Sequence, residues 1–353
     1  MTMTQNRRLT LAAATMAGLM GLTACTQQPD QLPHWPEPTV TADTDLPMGA
    51  VVESLEDTDS HERPTDPTPF GSISPDGRLP EQRVGEIYHR GRIIVGVAQS
   101  LNRLGFRNPA TGDLDGFEVE LAREIARDIF GDPTKVEFRF VDSLDRVKAL
   151  NEGNVDIVMR TMTITRHRQA EVEFSTPYLH VKNRLLVLED SDINSFTDLR
   201  TKRVCVARNS TSADLIREYG PRELMRTNTW TDCLMAMQRH QTDAIFTDDA
   251  ILSGLQAQDP YTRLIRESTS ESDYGVGIAS SRKGRETTGL VMQVNATLQR
   301  IRTDGTWTRL YNTWLADYLG ASQIPRGSYR TEIEDTELQE FRKHHGYNGG
   351  ESS

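Results

Sequence analysis

Arg168 lies just past Thr161, Thr163 and Thr165, which follow a short apolar run, Val155 to Met159, that reads as a buried strand. A guanidinium at a strand end is a planar fork of donors, suited to gripping a carboxylate at two points. A second polar group, Asn209-Ser210-Thr211-Ser212, falls between an expected strand and an expected helix. Backbone N–H groups at a helix start favour an anion, and Ser210 can cap that helix at the same time. Asp248 and Asp249 follow the apolar segment Ala244 to Thr247, so one carboxylate is available to a ligand and the other to cap the next helix. A bidentate cation facing a carboxylate is what a small zwitterion needs.

These groups require elements that bring them together. Arg92 to Val97 reads as a strand, and Gly116 to Phe130 puts Phe117, Leu121, Ile125 and Ile129 on one helical face, with Gly131 and Pro133 as stop signals. Val136, Phe138 and Phe140 alternate as a strand, Leu144, Val147 and Leu150 mark a helix, and Val155 to Met159 closes a β-α-β-α-β order, the pattern of a parallel sheet with crossover helices. A second unit repeats it: strand Leu185 to Leu188, a short helix near Phe196, strand Val204 to Val206, helices Ser212 to Glu218 and Asp232 to Arg239, and strand Ala244 to Thr247. A strand Tyr274 to Ala279 then leads to helices over Leu290 to Arg302 and Trp307 to Leu315. A chain of 353 residues is long enough for two such cores.

Four motifs in this order carry a resemblance: Asp115-Gly116-Phe117-Glu118-Val119-Glu120-Leu121; Val155-Asp156-Ile157-Val158 running on to Thr161-Met162-Thr163-Ile164-Thr165 and Arg168; Phe174-Ser175-Thr176-Pro177-Tyr178; and Asp304-Gly305-Thr306-Trp307. Residues 84 to 317 resemble the family 3 solute-binding proteins of amino-acid ABC transporters, most of all actinobacterial glutamine- or glutamate-binding lipoproteins. The resemblance implies an α/β, two-lobed periplasmic-binding-protein fold (type II) with the ligand in a cleft between lobes. It implies that Arg168 clamps the α-carboxylate of an amino acid, that Thr161 and Thr163 bind its ammonium and carboxylate, with Thr161 acting through its carbonyl, that Ser210 and Thr211 add to the carboxylate cradle, and that Asp248 takes the ammonium. The loop Ala98 to Arg103 lacks the acidic and aromatic residues common in glutamine binders, and Ser143 stands where another aromatic is frequent. Arg103, Arg160 and Arg208 fall near the cleft in this register, and extra cations suit a second carboxylate. The expected ligand is aspartate or glutamate, with glutamine or asparagine next.

The ends of the chain read as address and tether. Arg7 and Arg8 precede an apolar run, Leu9 to Leu22, so residues 1–24 read as a signal peptide. Leu22-Thr23-Ala24-Cys25 resembles the bacterial lipobox, which implies that Cys25 carries acyl chains such as palmitate and holds the protein on the outer face of the cell membrane. Residues 26 to 80 hold eleven of the acidic residues against Arg63 and Arg78, account for most of the net charge of −11, and are rich in proline, so 25–83 reads as a disordered linker. The remaining expected divisions are lobe 1 over 84–181 and 272–320, lobe 2 over 182–271, and a frayed polar tail over 321–353, with the chain crossing between lobes near Val181 to Asn183 and Ser272 to Tyr274. Cys205 and Cys233, an even pair in an exported chain, are expected to form a disulfide.

Several function classes are disfavoured. There is no basic footprint for nucleic acid, the eight histidines lack metal-ligand spacing, and no hydrolase, zinc-protease or Cys-x-x-Cys motif is present. No cofactor and no catalysis are expected. The expected partners are an amino acid, the membrane, and an ABC permease that receives the ligand on closure; a membrane sensor protein is the alternative partner, and a dehydratase-like enzyme on the same fold the remote one.

Overall fold

The computed structural model describes residues 45–55, 68–282, 284–321 and 323–345. Its first sheet is built around β2 (Ile93–Val97), all five residues of which are buried. β6 (Val136–Phe140) and β7 (Ile157–Val158) flank β2 in parallel, β15 (Gly277–Ala279) runs antiparallel to β7, and β8 (Val172–Phe174) closes the order β6-β2-β7-β15-β8. A small sheet of β3 (Ser100–Leu101), β4 (Gly105–Arg107) and β5 (Leu114–Asp115) leads into α3 (Phe117–Phe130). Two short helices, α1 (Pro80–Arg83) and α2 (Gly85–Arg90), precede β2. Gly116 opens α3 at φ 134°, and a Cβ there would lie 2.3 Å from the Leu104 carbonyl oxygen, so only glycine fits. Phe117, Leu121 and Ile125 of α3 pack with Val294 and Leu298 of α9 (Thr288–Thr303) and Trp307 of α10 (Thr306–Trp314), the lobe 1 core. Trp307 donates its indole N–H to the Tyr178 carbonyl, which satisfies the one polar atom of a fully buried ring.

The second sheet has the order β1-β11-β10-β12-β9-β13, from β1 (Val51–Ser54), β9 (Leu179–Leu188), β10 (Arg203–Ala207), β11 (Glu223–Thr227), β12 (Ala244–Asp248) and β13 (Thr262–Leu264). The first half of β9 pairs instead with β14 (Glu271–Tyr274), from Leu179 opposite Tyr274 to Lys182 opposite Glu271. This antiparallel pair carries the chain out of lobe 1 and back into it. Cys205 of β10 and Cys233 of α7 (Trp230–Gln238) are joined by a disulfide, with Cα atoms 5.6 Å apart. The remaining helices are α4 (Arg146–Asn151) and α5 (Arg166–Gln169) in lobe 1, α6 (Thr211–Leu215) and α8 (Asp249–Gln258) in lobe 2, and α11 (Ala316–Leu319) and α12 (Glu332–His344) at the end of the chain.

Three features depart from the sequence expectations. β11 is a strand in a stretch to which the sequence reading assigns no element; Glu223 and Arg226 break the apolar run, yet Leu224 and Met225 are fully buried. Part of the expected linker is ordered. β1 adds to the edge of β11, Glu53 pairs with Arg217 at 2.9 Å and Arg226 at 3.1 Å, and Arg208 donates to the Gly49 carbonyl. Further on, the backbone of Phe70 exchanges two hydrogen bonds of 2.9 Å with the Gln169 amide, and Ser72 is held by Asn295 at 2.7 Å. Edge pairing through backbone groups needs few apolar side chains, which is why composition does not reveal it. Residues 25–44 and 56–67, and with them Cys25, lie outside the described residues, as do the signal segment and 346–353. The tail likewise is not frayed over 332–344: α12 starts with a Thr331–Glu334 capping box, buries Leu338 completely, and sends Arg342 to Glu173 at 2.9 Å, where Arg330 also pairs at 2.8 Å.

Candidate functional site

The ends of β7, β10 and β12 face one another between the sheets. On the lobe 1 side, the chain leaving β7 turns sharply at Thr161, whose φ is 40°, and its N–H donates to Glu118 at 2.6 Å. Thr165 caps α5 by accepting from the Arg168 N–H at 3.1 Å. That cap sets the Arg168 side chain against the strand end, where it donates to the Thr163 carbonyl at 2.8 Å and across the cleft to the Asn209 carbonyl at 3.3 Å. Asn209 is in the left-handed region, φ 53°, which asparagine tolerates well.

Lobe 2 contributes the start of α6 and the end of β12. Ser210 accepts from the Ala213 N–H at 3.3 Å and donates to the Ala207 carbonyl at 2.6 Å, so it is the helix cap, with Thr211 beside it in the cleft. Asp248 closes β12 with its side chain buried. One carboxylate oxygen accepts from the Tyr274 hydroxyl at 2.5 Å, and the other is buried without a hydrogen-bond partner in the protein. Burial raises its pKa from 3.8 to about 6, the neighbouring charge of Asp249 adds to the rise, and the Tyr274 hydroxyl and Arg168 oppose it. Asp249 faces elsewhere: it accepts from the Lys182 N–H at 3.2 Å and so fastens α8 to the hinge strand. Glu118 also lies behind the site, fully buried, accepting from the Tyr178 hydroxyl, and burial holds its pKa up.

Thr161, Thr163, Arg168, Ser210, Thr211 and Asp248 thus line one narrow cleft, together with Ser143, Trp230 and Ile251. It opens outward into a mouth of about 1210 Å³. The three other arginines expected near a side-chain carboxylate fall differently. Arg103 donates to the Trp314 carbonyl at 3.0 Å and lies 3.9 Å over the Tyr318 ring, in lobe 1 and outside the cleft lining. Arg160 is buried behind the wall and donates to the Ser143 hydroxyl. Arg208 is at the mouth, bound to Gly49. Their loops were close in the sequence register, but the side chains are taken by packing partners.

The cation that sequence reasoning misses is Arg146. It is 5 % exposed, lines the cleft, and donates to four carbonyls: Ser143 at 3.0 Å, Arg160 and Thr161 each at 3.2 Å, and Asn209 at 3.4 Å. Burial first, and then the like charges of Arg168 and Arg160, push its pKa well below the ordinary value for arginine. Among the described residues it has no ion pair with a carboxylate. Its only sequence signal is the spacing Ser143-x-x-Arg146 at a helix start, which reads as an ordinary solvated arginine.

The architecture agrees with what known proteins show. The chain belongs to the bacterial extracellular solute-binding proteins, family 3, whose model matches residues 93–317. It is 40 % identical over 200 residues to a glutamine-binding protein of Geobacillus stearothermophilus, covering 56 % of this chain and 76 % of that one. It is 30 % identical over 233 residues to the glutamate-binding protein GluB of Corynebacterium efficiens, covering 62 % of this chain and 77 % of that one. Among solved structures, a mutant of ArgBP from T. maritima superposes with a TM-score of 0.58 at 27 % identity, covering 66 % of this chain and 99 % of that one. β1, the strap from Phe70 to Ser72, and α12 all lie outside the matched residues.

Proposed function

We propose that this protein captures an acidic amino acid, glutamate or aspartate, between its lobes and hands it to an ABC importer. Arg146 carries the reading: a buried guanidinium beside the half-buried Arg168, with only carbonyl oxygens as its partners among the described residues, favours a ligand with two carboxylates. In this arrangement Arg168, with the start of α6, takes the α-carboxylate. Asp248, with its unpartnered oxygen, and the carbonyl of Thr161 take the ammonium. Arg146, with Ser143, takes the side-chain carboxylate. A carboxylate accepting from a buried guanidinium relieves the repulsion between the two arginines, which a neutral amide does far less well. The glutamine- and glutamate-binding names of the relatives support the ligand class, and a transporter role follows from the same kinship. Contacts from both lobes to one ligand favour the closed arrangement, and closure is what a membrane partner recognises.

No helix among the described residues is long and apolar enough to cross a membrane. In this reading acyl chains on Cys25 supply the attachment. The test is calorimetric titration with glutamate, aspartate, glutamine and asparagine on the wild type and on Arg146→Gln. A charge-assisted hydrogen bond contributes about 1.5–3 kcal/mol, so the variant is expected to lose roughly 10- to 100-fold in affinity for glutamate and only a few-fold for glutamine. Equal losses for both ligands would remove Arg146 as the reader of side-chain charge.

A further inference from the structure

α8 has a glycine in its interior, Gly254, at a place where its own lobe gives no reason for one. Glycine is the poorest helix former after proline, and Gly254 is not among the residues with positive φ. The reason lies across the cleft. A Cβ on Gly254 would sit 2.4 Å from the carbonyl oxygen of Asn102, and the next nearest atoms, at 3.3 and 3.5 Å, are also Asn102 backbone. Asn102 belongs to the β3–β4 turn of lobe 1, whereas α8 belongs to lobe 2.

That turn cannot readily retreat. Leu101 and Leu104 on either side of it are buried, the Phe117 N–H donates to the Arg103 carbonyl at 2.8 Å, and the Glu118 N–H donates to Leu104 at 3.0 Å. Arg103 itself, at φ 70°, braces the turn against α10 and α11 through Trp314 and the Tyr318 ring. α11 in turn touches α8, so the turn and α11 together form a lobe 1 surface on which α8 rests.

We propose that Gly254 is the seat on which the lobes register when they close, a positioning residue for ligand capture that touches no ligand. Asp248 lies immediately before α8, and six residues of helix separate it from Gly254 by about 9 Å. A side chain at the seat holds α8 off lobe 1 and carries the Asp248 carboxylate away from Thr161 and Arg168. In the open arrangement the same side chain meets nothing of lobe 1 and improves the helix. Alanine is therefore expected to act with opposite signs on the two states. Arg103 becomes a brace for the seat and not a reader of ligand charge.

The inference rests on the reading that an amino acid draws the lobes together. The experiment compares the full-length wild type with Gly254→Ala, Arg103→Gln and Gly85→Ala, the last a control at a position with nothing within 4 Å of an added Cβ. Each is titrated with L-glutamate and L-glutamine, melted without ligand, and measured by small-angle scattering with and without saturating ligand. Gly254→Ala is expected to weaken both ligands by about tenfold or more, to keep or raise the melting temperature of the unliganded protein, and to contract less on binding. Arg103→Gln is expected to weaken both by the same factor, and Gly85→Ala to change neither. Gly254→Ala binding within about twofold of wild type with full contraction overturns the seat. Should that variant fail to fold, a loss confined to glutamate in Arg103→Gln overturns it instead. A wild type that binds neither amino acid refutes the ligand reading and, with it, the purpose given to the seat; binding by the wild type separates the two failures.

Discussion

Asp248 is buried with one oxygen unpartnered and a pKa raised from 3.8 to about 6. Between these values the folded state holds a proton that the unfolded state has released, so the stability of the unliganded protein falls as pH rises from about 4 to about 6 and then levels. At about 1.4 kcal/mol per pKa unit the whole difference is about 3 kcal/mol. Asp248→Asn, which keeps an acceptor for Tyr274, is therefore expected to raise unliganded stability at pH 7.5 by up to that amount. An ammonium that binds the ionised carboxylate reverses the preference. At pH 5 only about a tenth of the unliganded protein has Asp248 ionised, so affinity should fall about tenfold between pH 7 and pH 5 and the wild type should release close to one proton per ligand at the lower pH. Calorimetric titration across this range, in two buffers of different ionisation enthalpy, counts that proton. Asp249, Arg168 and Tyr274 are the charged or titratable neighbours that shape the value. If Asp248→Asn keeps the pH slope and the proton release, or melts below the wild type at pH 7.5, the assignment of Asp248 as the ammonium partner is refuted.

Arg168→Ala is expected to abolish measurable binding of every amino acid, because it removes the clamp for the group they share; thermal shifts undiminished by the change would contradict this. Cys205→Ser with Cys233→Ser should lower stability by about 3–4 kcal/mol, the closure entropy of a loop of this length, as read by denaturant unfolding. Glu173→Gln leaves Arg330 and Arg342 buried around a neutral group, and breaking such a pair is expected to destabilise by about 3–5 kcal/mol and to raise hydrogen exchange across α12.

The fold was legible wherever one lobe's own periodicity wrote it. α3 shows an apolar face and a glycine stop, and β2, β7 and β12 are short buried runs between breakers. The strand ends carried Thr161, Thr163, Arg168 and Asp248 into the cleft with them, because a residue just past a buried strand has few other places to go. What escaped was long-range. Arg146 differs from a solvated arginine through the carbonyls of Arg160, Thr161 and Asn209, which lie 14, 15 and 63 residues away. Arg103 is captured by Trp314 and Tyr318, and Arg208 by Gly49, so nearness in register says nothing about where their charges settle. β1 is an edge strand held by its backbone and by Glu53. α12, by contrast, carries a readable signal in Thr331 and Glu334, which the polarity of the tail obscures.

The strand β1 also ties the start of the described chain to lobe 2. The carbonyl of Asp45, the first described residue, is already held by Arg239 and Gln241 on lobe 2. Arg208 reaches the Gly49 carbonyl and β1 pairs along its whole length with β11, so residues 45–55 are fastened to lobe 2. The strap from Phe70 to Ser72 is held instead by Gln169 and Asn295 of lobe 1, so any change in the angle between the lobes also changes the separation of residues 55 and 68.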